Sequence, residues 1–208
     1  VRRSGRGAAP LRCTGRVTSP PPAAAPAGGA GPGAPVETAL IVEVPEAEAA
    51  IGAIRAEYDA ITAWGVPAHV TVLYPFLPRE RLGPAEVARA AAAVRRVPAF
   101  DVVFREVGWF GDEVVWLAPD PHAPFRELTA ALHAEFPECP PYRGLHPDTE
   151  PHLTIAHGVP PEQLRAAAER VRPGLPFTTS VRSVRVWTGS DAPGAWGPVD
   201  ELPLGPGR

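Results

Sequence analysis

The stretches His69-Val70-Thr71-Val72 and His152-Leu153-Thr154-Ile155 follow one pattern, in which a histidine and a threonine alternate with apolar residues. Successive side chains of a β-strand point to opposite faces of the sheet. In each stretch the histidine and the threonine would therefore share one face, and the two apolar residues would share the other. The pattern predicts two strands with apolar faces in the core and with two imidazoles and two hydroxyls facing outward.

This set of side chains suits acid–base chemistry on a phosphate. Cleaving or closing a phosphodiester requires removal of a proton from the attacking oxygen and delivery of a proton to the leaving oxygen. Two histidines can do both, because the imidazole pKa lies near neutrality. Threonine hydroxyls can donate hydrogen bonds to phosphoryl oxygens, on which charge grows in the transition state. Such chemistry needs neither a metal nor a cofactor.

The composition excludes several other reaction classes. All 20 basic residues are arginines, and the chain contains no lysine. Without lysine there can be no Schiff-base lysine, no P-loop lysine and no lysyl-nucleotide intermediate. An ATP-dependent nucleic-acid ligase that adenylates a lysine is therefore excluded.

The charges divide the chain into two parts. Residues 1–36 contain five arginines, no acidic residue and a run rich in proline, alanine and glycine, which predicts a disordered tail. A tail that binds RNA is the alternative interpretation. Residues 37–208 contain 15 arginines and 23 acidic residues, a formal net charge of −8, and we expect them to form the folded domain. An acidic domain favours a small phosphate substrate over a long nucleic acid.

The chain also carries signals about its surroundings. No segment approaches the roughly 18 apolar residues that a membrane-spanning helix needs, so we expect no membrane partner. Two cysteines, Cys13 and Cys139, are too few for a disulfide framework. We therefore expect a cytoplasmic protein, and by default a monomer.

Periodicity and turn residues predict an α+β fold. Strand, helix, motif strand and helix occur in that order in both halves of the chain, which predicts two similar lobes that face each other across one cleft. The predicted strands are 39–44, 69–72, 100–107, 113–118, 152–155, 177–188 and an edge strand near 196–204. The predicted helices are 45–58, 85–96, one that begins near 124, and 161–171.

The segments AHVTVLYPF (68–76) and PHLTIAHG (151–158) resemble the paired signatures of the two-histidine (2H) phosphoesterase superfamily. The most similar branch is the bacterial 2′-5′ RNA ligase and cyclic phosphodiesterase-like family, and the resemblance spans roughly residues 37–190. It implies two pseudo-symmetric α+β lobes, with antiparallel sheets flanked by helices, around a central cleft that carries both His-x-Thr motifs.

The resemblance also implies roles and a reaction. His69 and His152 would be the catalytic acid and base, in an order that the sequence does not assign, and Thr71 and Thr154 would bind the phosphate. The reaction would open a 2′,3′- or 1″,2″-cyclic phosphate, or reversibly form a 2′-5′ linkage. The substrate would be a small cyclic-phosphate nucleotide or an RNA terminus.

Other residues are candidates for substrate contact. Aromatic side chains at the cleft rim often hold substrates in this family, which makes Tyr74, Trp109 and Tyr142 candidates, and Arg143 could contact phosphate. Core positions for the aromatic residues and a solvated position for Arg143 are the alternatives. In an unbroken strand Tyr74 would share the face of His69.

Two rival interpretations of the motifs stay open. A zinc site could use His69, His152 and a third ligand, although no HExxH, CxxC or His-x-His spacing supports it and both threonines would be unexplained. A non-catalytic module could keep the cleft in order to bind nucleotides or cyclic phosphates.

Overall fold

The computed structural model describes residues 36–145 and 149–207. Apart from Val36, the predicted tail at 1–36 lies outside the described residues. These residues form eight strands: β1 (Glu37–Glu43), β2 (His69–Leu73), β3 (Phe100–Phe110), β4 (Val114–Asp120), β5 (Leu153–His157), β6 (Phe177–Val181), β7 (Ser183–Gly189) and β8 (Gly197–Pro203). They also form four α-helices: α1 (Pro45–Tyr58), α2 (Pro84–Val94), α3 (Ala123–Glu135) and α4 (Pro161–Val171).

The two motif strands lie next to each other at the centre of one sheet. The strand order is β6-β3-β4-β5-β2-β1-β7-β8, and every pairing is antiparallel. β2 and β5 meet at Val70 opposite Leu153, and this contact joins two four-stranded halves. The predicted α+β fold with antiparallel sheets is confirmed, and its two lobes are the halves of one continuous sheet.

The helices tie the two halves together. α1 follows β1 in the first half but packs against β5, β6 and α4, whereas α3 follows β4 in the second half but packs against β2 and α2. α1 begins with a proline at its first turn, carries Glu46 and Glu48 there, and has Arg55 in its last turn. This distribution of charge complements the helix dipole.

The apolar residues of the motif strands anchor them in the core. Val70, Leu153 and Ile155 have no exposed surface, and Val72 is 3% exposed. Full burial of one such side chain contributes about 1.5–3 kcal/mol to stability. The central strand pair is therefore held firmly, and its polar side chains extend from the other face.

One predicted strand was wrong. The alternating segment 177–188 forms two strands, β6 and β7, on either side of Arg182. β6 pairs with β3, whereas β7 pairs with β1 in the other half of the sheet. The predicted edge strand near 196–204 is confirmed as β8. Among the described residues, no helix is long and apolar enough to cross a membrane.

Candidate functional site

The register of the central strand pair brings the four polar motif residues together. Because Val70 and Leu153 share the core face, strand alternation puts His69 and Thr71 of β2 on the same face as Thr154 of β5 and His152, which directly precedes β5. All four side chains are partly exposed, which leaves one polar patch on this face of the sheet.

Both imidazole rings are held by the same hydrogen bond. Nδ1 of His69 lies 2.8 Å from the carbonyl oxygen of Pro67, and Nδ1 of His152 lies 2.8 Å from the carbonyl oxygen of Glu150. A carbonyl oxygen can only accept, so Nδ1 must carry the proton in both rings. In the neutral ring Nε2 then bears the lone pair and can accept a proton.

The surroundings of His69 disfavour its protonation. Burial, and next the positive charge of Arg55, lower the pKa of His69 to about 4, against the opposing effect of the hydrogen bond to Pro67. Glu43 lies directly across from His69 on β1. The Glu43 carboxylate accepts hydrogen bonds from Trp187 Nε1 (2.8 Å) and Arg185 Nε (3.3 Å).

His152 has aromatic neighbours. Its ring meets Phe110 edge to face, with centroids 4.9 Å apart, and lies 6.0 Å from the Trp116 ring. A Cβ atom at Gly108 would collide with the Trp116 ring, so this position on β3 requires glycine. Burial lowers the pKa of His152, whereas its hydrogen bond to Glu150 and the charge of that carboxylate act in the opposite direction.

Among the candidate substrate-contact residues, Tyr142 has a described bond to a motif residue. It forms a side-chain hydrogen bond with Thr71, and burial raises the pKa of Tyr142 to about 12. The Tyr74 hydroxyl donates to Glu37, and Arg143 pairs with the same carboxylate at 2.6 Å. Burial, followed by the bond to Glu37, raises the pKa of Tyr74.

The loop that carries Tyr142 has an unusual backbone. Tyr142, Arg143 and Gly144 have φ angles of 48°, 58° and 74°. The left-handed conformation costs a residue other than glycine roughly 1–2 kcal/mol. The backbone N–H of Tyr142 also donates to the carbonyl oxygen of Tyr74, at 2.7 Å. The protein thus holds two strained residues beside Thr71.

Comparison with known proteins identifies the family. A family model described as the 2′-5′ RNA ligase superfamily matches residues 43–193. The chain belongs to this superfamily. Its predicted membership of the 2H phosphoesterases is thereby confirmed. No curated protein sequence gives a significant match.

Solved structures share the fold of this superfamily member. Escherichia coli LigT complexed with 3′-AMP is 19% identical and aligns with a TM-score of 0.54 over 82% of this chain and 98% of that chain. TT0787 of Thermus thermophilus is 18% identical and aligns with a TM-score of 0.58 over 83% of this chain and 100% of that chain. These likenesses concern the fold alone.

The sequence analysis did not identify several residues that lie near the motifs in this member of the 2′-5′ RNA ligase superfamily. Trp109 was a candidate for substrate contact, but it pairs with the buried Val115. Strand alternation therefore places its neighbour Phe110, and not Trp109, on the face of the sheet that carries the two histidines. Arg55 lies four residues after Ile51, on the apolar stripe of α1. A charged residue on an apolar stripe is the sequence signal that could have identified it as a buried, paired arginine.

The zinc interpretation was also compared with the structure. Within residues 36–145 and 149–207, no group of three His, Cys, Asp or Glu side chains is placed to hold a metal ion. His157, at the end of β5, pairs with Val114 and forms an isolated bridge with Asp59.

Proposed function

We propose that the protein is a metal-independent phosphoesterase that opens 2′,3′- or 1″,2″-cyclic phosphates of nucleotides or RNA ends. The observation that carries this proposal is the meeting of both His-x-Thr motifs on one strand pair. Each ring is fixed through Nδ1, which leaves Nε2 for proton transfer. Membership of the 2′-5′ RNA ligase superfamily supports the reaction class.

The reaction would proceed by in-line attack of water on phosphorus. Nε2 of one histidine accepts a proton from the water, and the new P–O bond forms. The bond to one ribose oxygen breaks, and that oxygen takes a proton from Nε2–H of the other histidine. Thr71 and Thr154 donate hydrogen bonds to the non-bridging oxygens, on which negative charge grows. The product is a phosphate monoester.

We propose a small nucleotide as the substrate. LigT, which shares this fold, has been solved with 3′-AMP and with ATP, and those ligands are small nucleotides. The acidic charge of residues 37–208 points in the same direction, because it repels long polyanions. A cytoplasmic location and a monomeric state stay predictions from the composition.

Ligation of RNA ends through a 2′-5′ linkage is the second candidate. The name of the superfamily favours it. The same four side chains would then promote attack of an RNA 5′-hydroxyl, in place of water, on a 2′,3′-cyclic phosphate; the new P–O5′ bond forms, the P–O3′ bond breaks and the 3′ oxygen takes up a proton. A non-catalytic module that binds cyclic phosphates is the third, and it predicts binding without turnover.

Turnover of 2′,3′-cyclic nucleotides and ADP-ribose 1″,2″-cyclic phosphate in EDTA tests the proposal. His69→Ala and His152→Ala should each lower kcat by about 10²–10⁴-fold, because each removes one proton-transfer group. His122→Ala is the matched control, since His122 is exposed at the start of α3. The melting temperature of each variant verifies folding.

The other outcomes separate the candidates. A folded wild-type protein that joins RNA ends but leaves the cyclic substrates intact would favour ligation. A protein that binds these substrates without converting them would favour the binding module. Activity that EDTA abolishes would contradict metal independence.

A further inference from the structure

A carboxylate lies next to His69 on the face of the sheet that carries the polar motif residues. Glu43, the last residue of β1, pairs directly with His69 of β2, so the two side chains share that face. Directly opposed residues of an antiparallel pair have Cβ atoms about 4.5–5.5 Å apart. The side chain of Glu43 is 29% exposed. Its carboxylate therefore borders the polar patch of the two motifs and is open to solvent.

One oxygen of this carboxylate is held from the neighbouring strand β7. Oε1 of Glu43 accepts a hydrogen bond from Trp187 Nε1 at 2.8 Å and another from Arg185 Nε at 3.3 Å. Nη1 of Arg185 donates to Glu201 on β8 at 2.7 Å, which fixes the guanidinium from its other side. These contacts orient the Glu43 carboxylate without using its second oxygen.

The second oxygen, Oε2, forms no hydrogen bond within the described part of the chain. The carboxylate of Glu37, at the start of the same strand, differs, because Tyr74 donates to one of its oxygens and Arg143 donates to the other. A carboxylate oxygen can only accept hydrogen bonds. Oε2 of Glu43 is therefore an available acceptor for a hydroxyl or an N–H group of a ligand.

The surface beside Glu43 is apolar and aromatic. Ile41, two residues earlier on the same face of β1, is buried and packs with Trp187 in a small apolar cluster. The partly exposed rings of Tyr74 and Trp196 pack against this cluster. A mostly apolar surface with one well-placed polar group is typical of a site that orients a small organic ligand. A nucleoside matches it, because its base has apolar faces and its edges and sugar carry N–H and hydroxyl donors.

We propose that Glu43 is a specificity-determining residue, whose Oε2 accepts a hydrogen bond from a hydroxyl or an N–H group of the nucleoside attached to the reacting phosphate. The place of that phosphate between the motifs rests on the proposed function, whereas the acceptor at Glu43 does not. The nucleoside extends from the central strand pair over β1 and β7. A second phosphate at this point is disfavoured, because Arg185 is shared by the carboxylates of Glu43 and Glu201 and their combined charge stays negative.

Binding of nucleotides, measured by titration calorimetry, tests the proposal without any turnover. The parent ligand is adenosine 3′-monophosphate, a phosphate monoester like the product of the proposed reaction. Glu43→Gln keeps an acceptor for Trp187 and Arg185 but replaces Oε2 by an amide N–H donor. It should raise the Kd of the parent ligand by about tenfold or more, because a hydrogen bond to a charged group is lost.

Glu201→Gln is the matched control. It makes the same change of charge at the other end of Arg185, on a strand that does not adjoin β1. Because exposed ion pairs contribute little, this variant should change the Kd by less than about twofold. The melting temperature of each variant verifies folding.

Three analogues of the parent ligand identify the group that Glu43 binds. They lack the 2′-hydroxyl, the 5′-hydroxyl or the N6 amine. The analogue without the bound group should have a wild-type Kd about tenfold higher than that of the parent ligand. The same analogue should bind Glu43→Gln at least as tightly as it binds the wild type, whereas the other two should lose affinity as the parent does.

A folded Glu43→Gln variant that binds the parent ligand as tightly as the wild type would overturn the proposal. An equal loss for the parent and all three analogues would also overturn it, because Glu43 would then act through the structure of the site. A wild type that binds none of these ligands would refute both this proposal and the proposed substrate class. A wild type that shows the expected binding but converts no cyclic phosphate would refute the proposed function and leave the role of Glu43 established.

Discussion

The half of the sheet with His69 and the half with His152 hold their histidines alike but surround them differently. In both halves Nδ1 donates to the carbonyl oxygen two residues earlier, at the same distance of 2.8 Å. The positive charge of Arg55 disfavours protonation of the His69 ring, whereas Phe110 and Trp116 pack against the His152 ring.

This contrast shows that the position of each histidine ring and the pKa of that ring have different structural causes. The position of each ring follows from its own strand, because the alternation of side chains and one local hydrogen bond determine it. The pKa of His69 is lowered by burial and then by the charge of Arg55 on α1, whereas the pKa of His152 is lowered by burial and raised by its chain neighbour Glu150. Two copies of one motif can therefore have equivalent geometry and still perform opposite halves of a proton-transfer reaction.

Among the variants that test this comparison between the two halves, we expect the two threonine variants to have the largest effect on kcat. Thr71→Val and Thr154→Val each keep the shape of the side chain and remove the hydroxyl. Each should lower kcat on a cyclic phosphate by about 10²-fold, as expected when a donor to a developing oxyanion is lost. Thr178→Val, on the exposed face of the edge strand β6, is the control. If one threonine variant loses activity and the other does not, phosphate binding belongs to one half alone.

The motifs were predictable from sequence because their information is local. Counting residues along each predicted strand was enough to place the histidine and the threonine of each motif on the face opposite the apolar residues. These residues are His69, Thr71, His152 and Thr154. The repeated order of elements indicated two lobes that meet at one cleft, but it did not indicate that the two motif strands pair within one sheet. The catalytic and phosphate-binding roles of these residues stay predictions until variants are measured.

The neighbours of the motifs were not predictable, because their positions depend on tertiary packing. Arg55 lies on a helix, α1, that packs against β5, β6 and α4, and its partner Glu48 accepts the backbone N–H of Ala68, next to His69. Trp116 reaches His152 because its ring lies over Gly108 on the next strand. The segment 177–188 alternates regularly, so nothing local indicates that the chain changes partner strands at Arg182.

A smaller effect is expected in the pH dependence of kcat/KM, which would show whether the two halves have different proton affinities. If His69 is the base, the rate falls below pH about 4, where His69 takes up a proton. If His152 is the acid, the rate also falls above the pKa of His152, which burial places below its ordinary value of 6.5. Because both imidazole pKa values are lowered, we expect a bell-shaped profile with its maximum below about pH 6.5 and about a tenfold change per pH unit on its outer flanks. A rate that keeps rising above about pH 8 would contradict these assignments.

The smallest effect is expected at Tyr142, which supports one half of the site only. Tyr142→Phe removes the hydrogen bond with Thr71, and a single such bond is worth about 0.5–1.5 kcal/mol, or roughly a 2–10-fold decrease in kcat. Tyr74→Phe removes a bond to Glu37 instead and should leave kcat nearly unchanged.

Double variants can measure whether Tyr142 acts through Thr71 alone. Tyr142→Phe should add little to the loss caused by Thr71→Val, because both changes remove the same hydrogen bond. Combined with Thr154→Val it should show its full effect, because Thr154 takes no part in the hydrogen bond between Tyr142 and Thr71. If Tyr142→Phe has the same effect in both backgrounds, Tyr142 acts on the substrate directly. Tyr142 would then be the rim contact that the sequence analysis predicted.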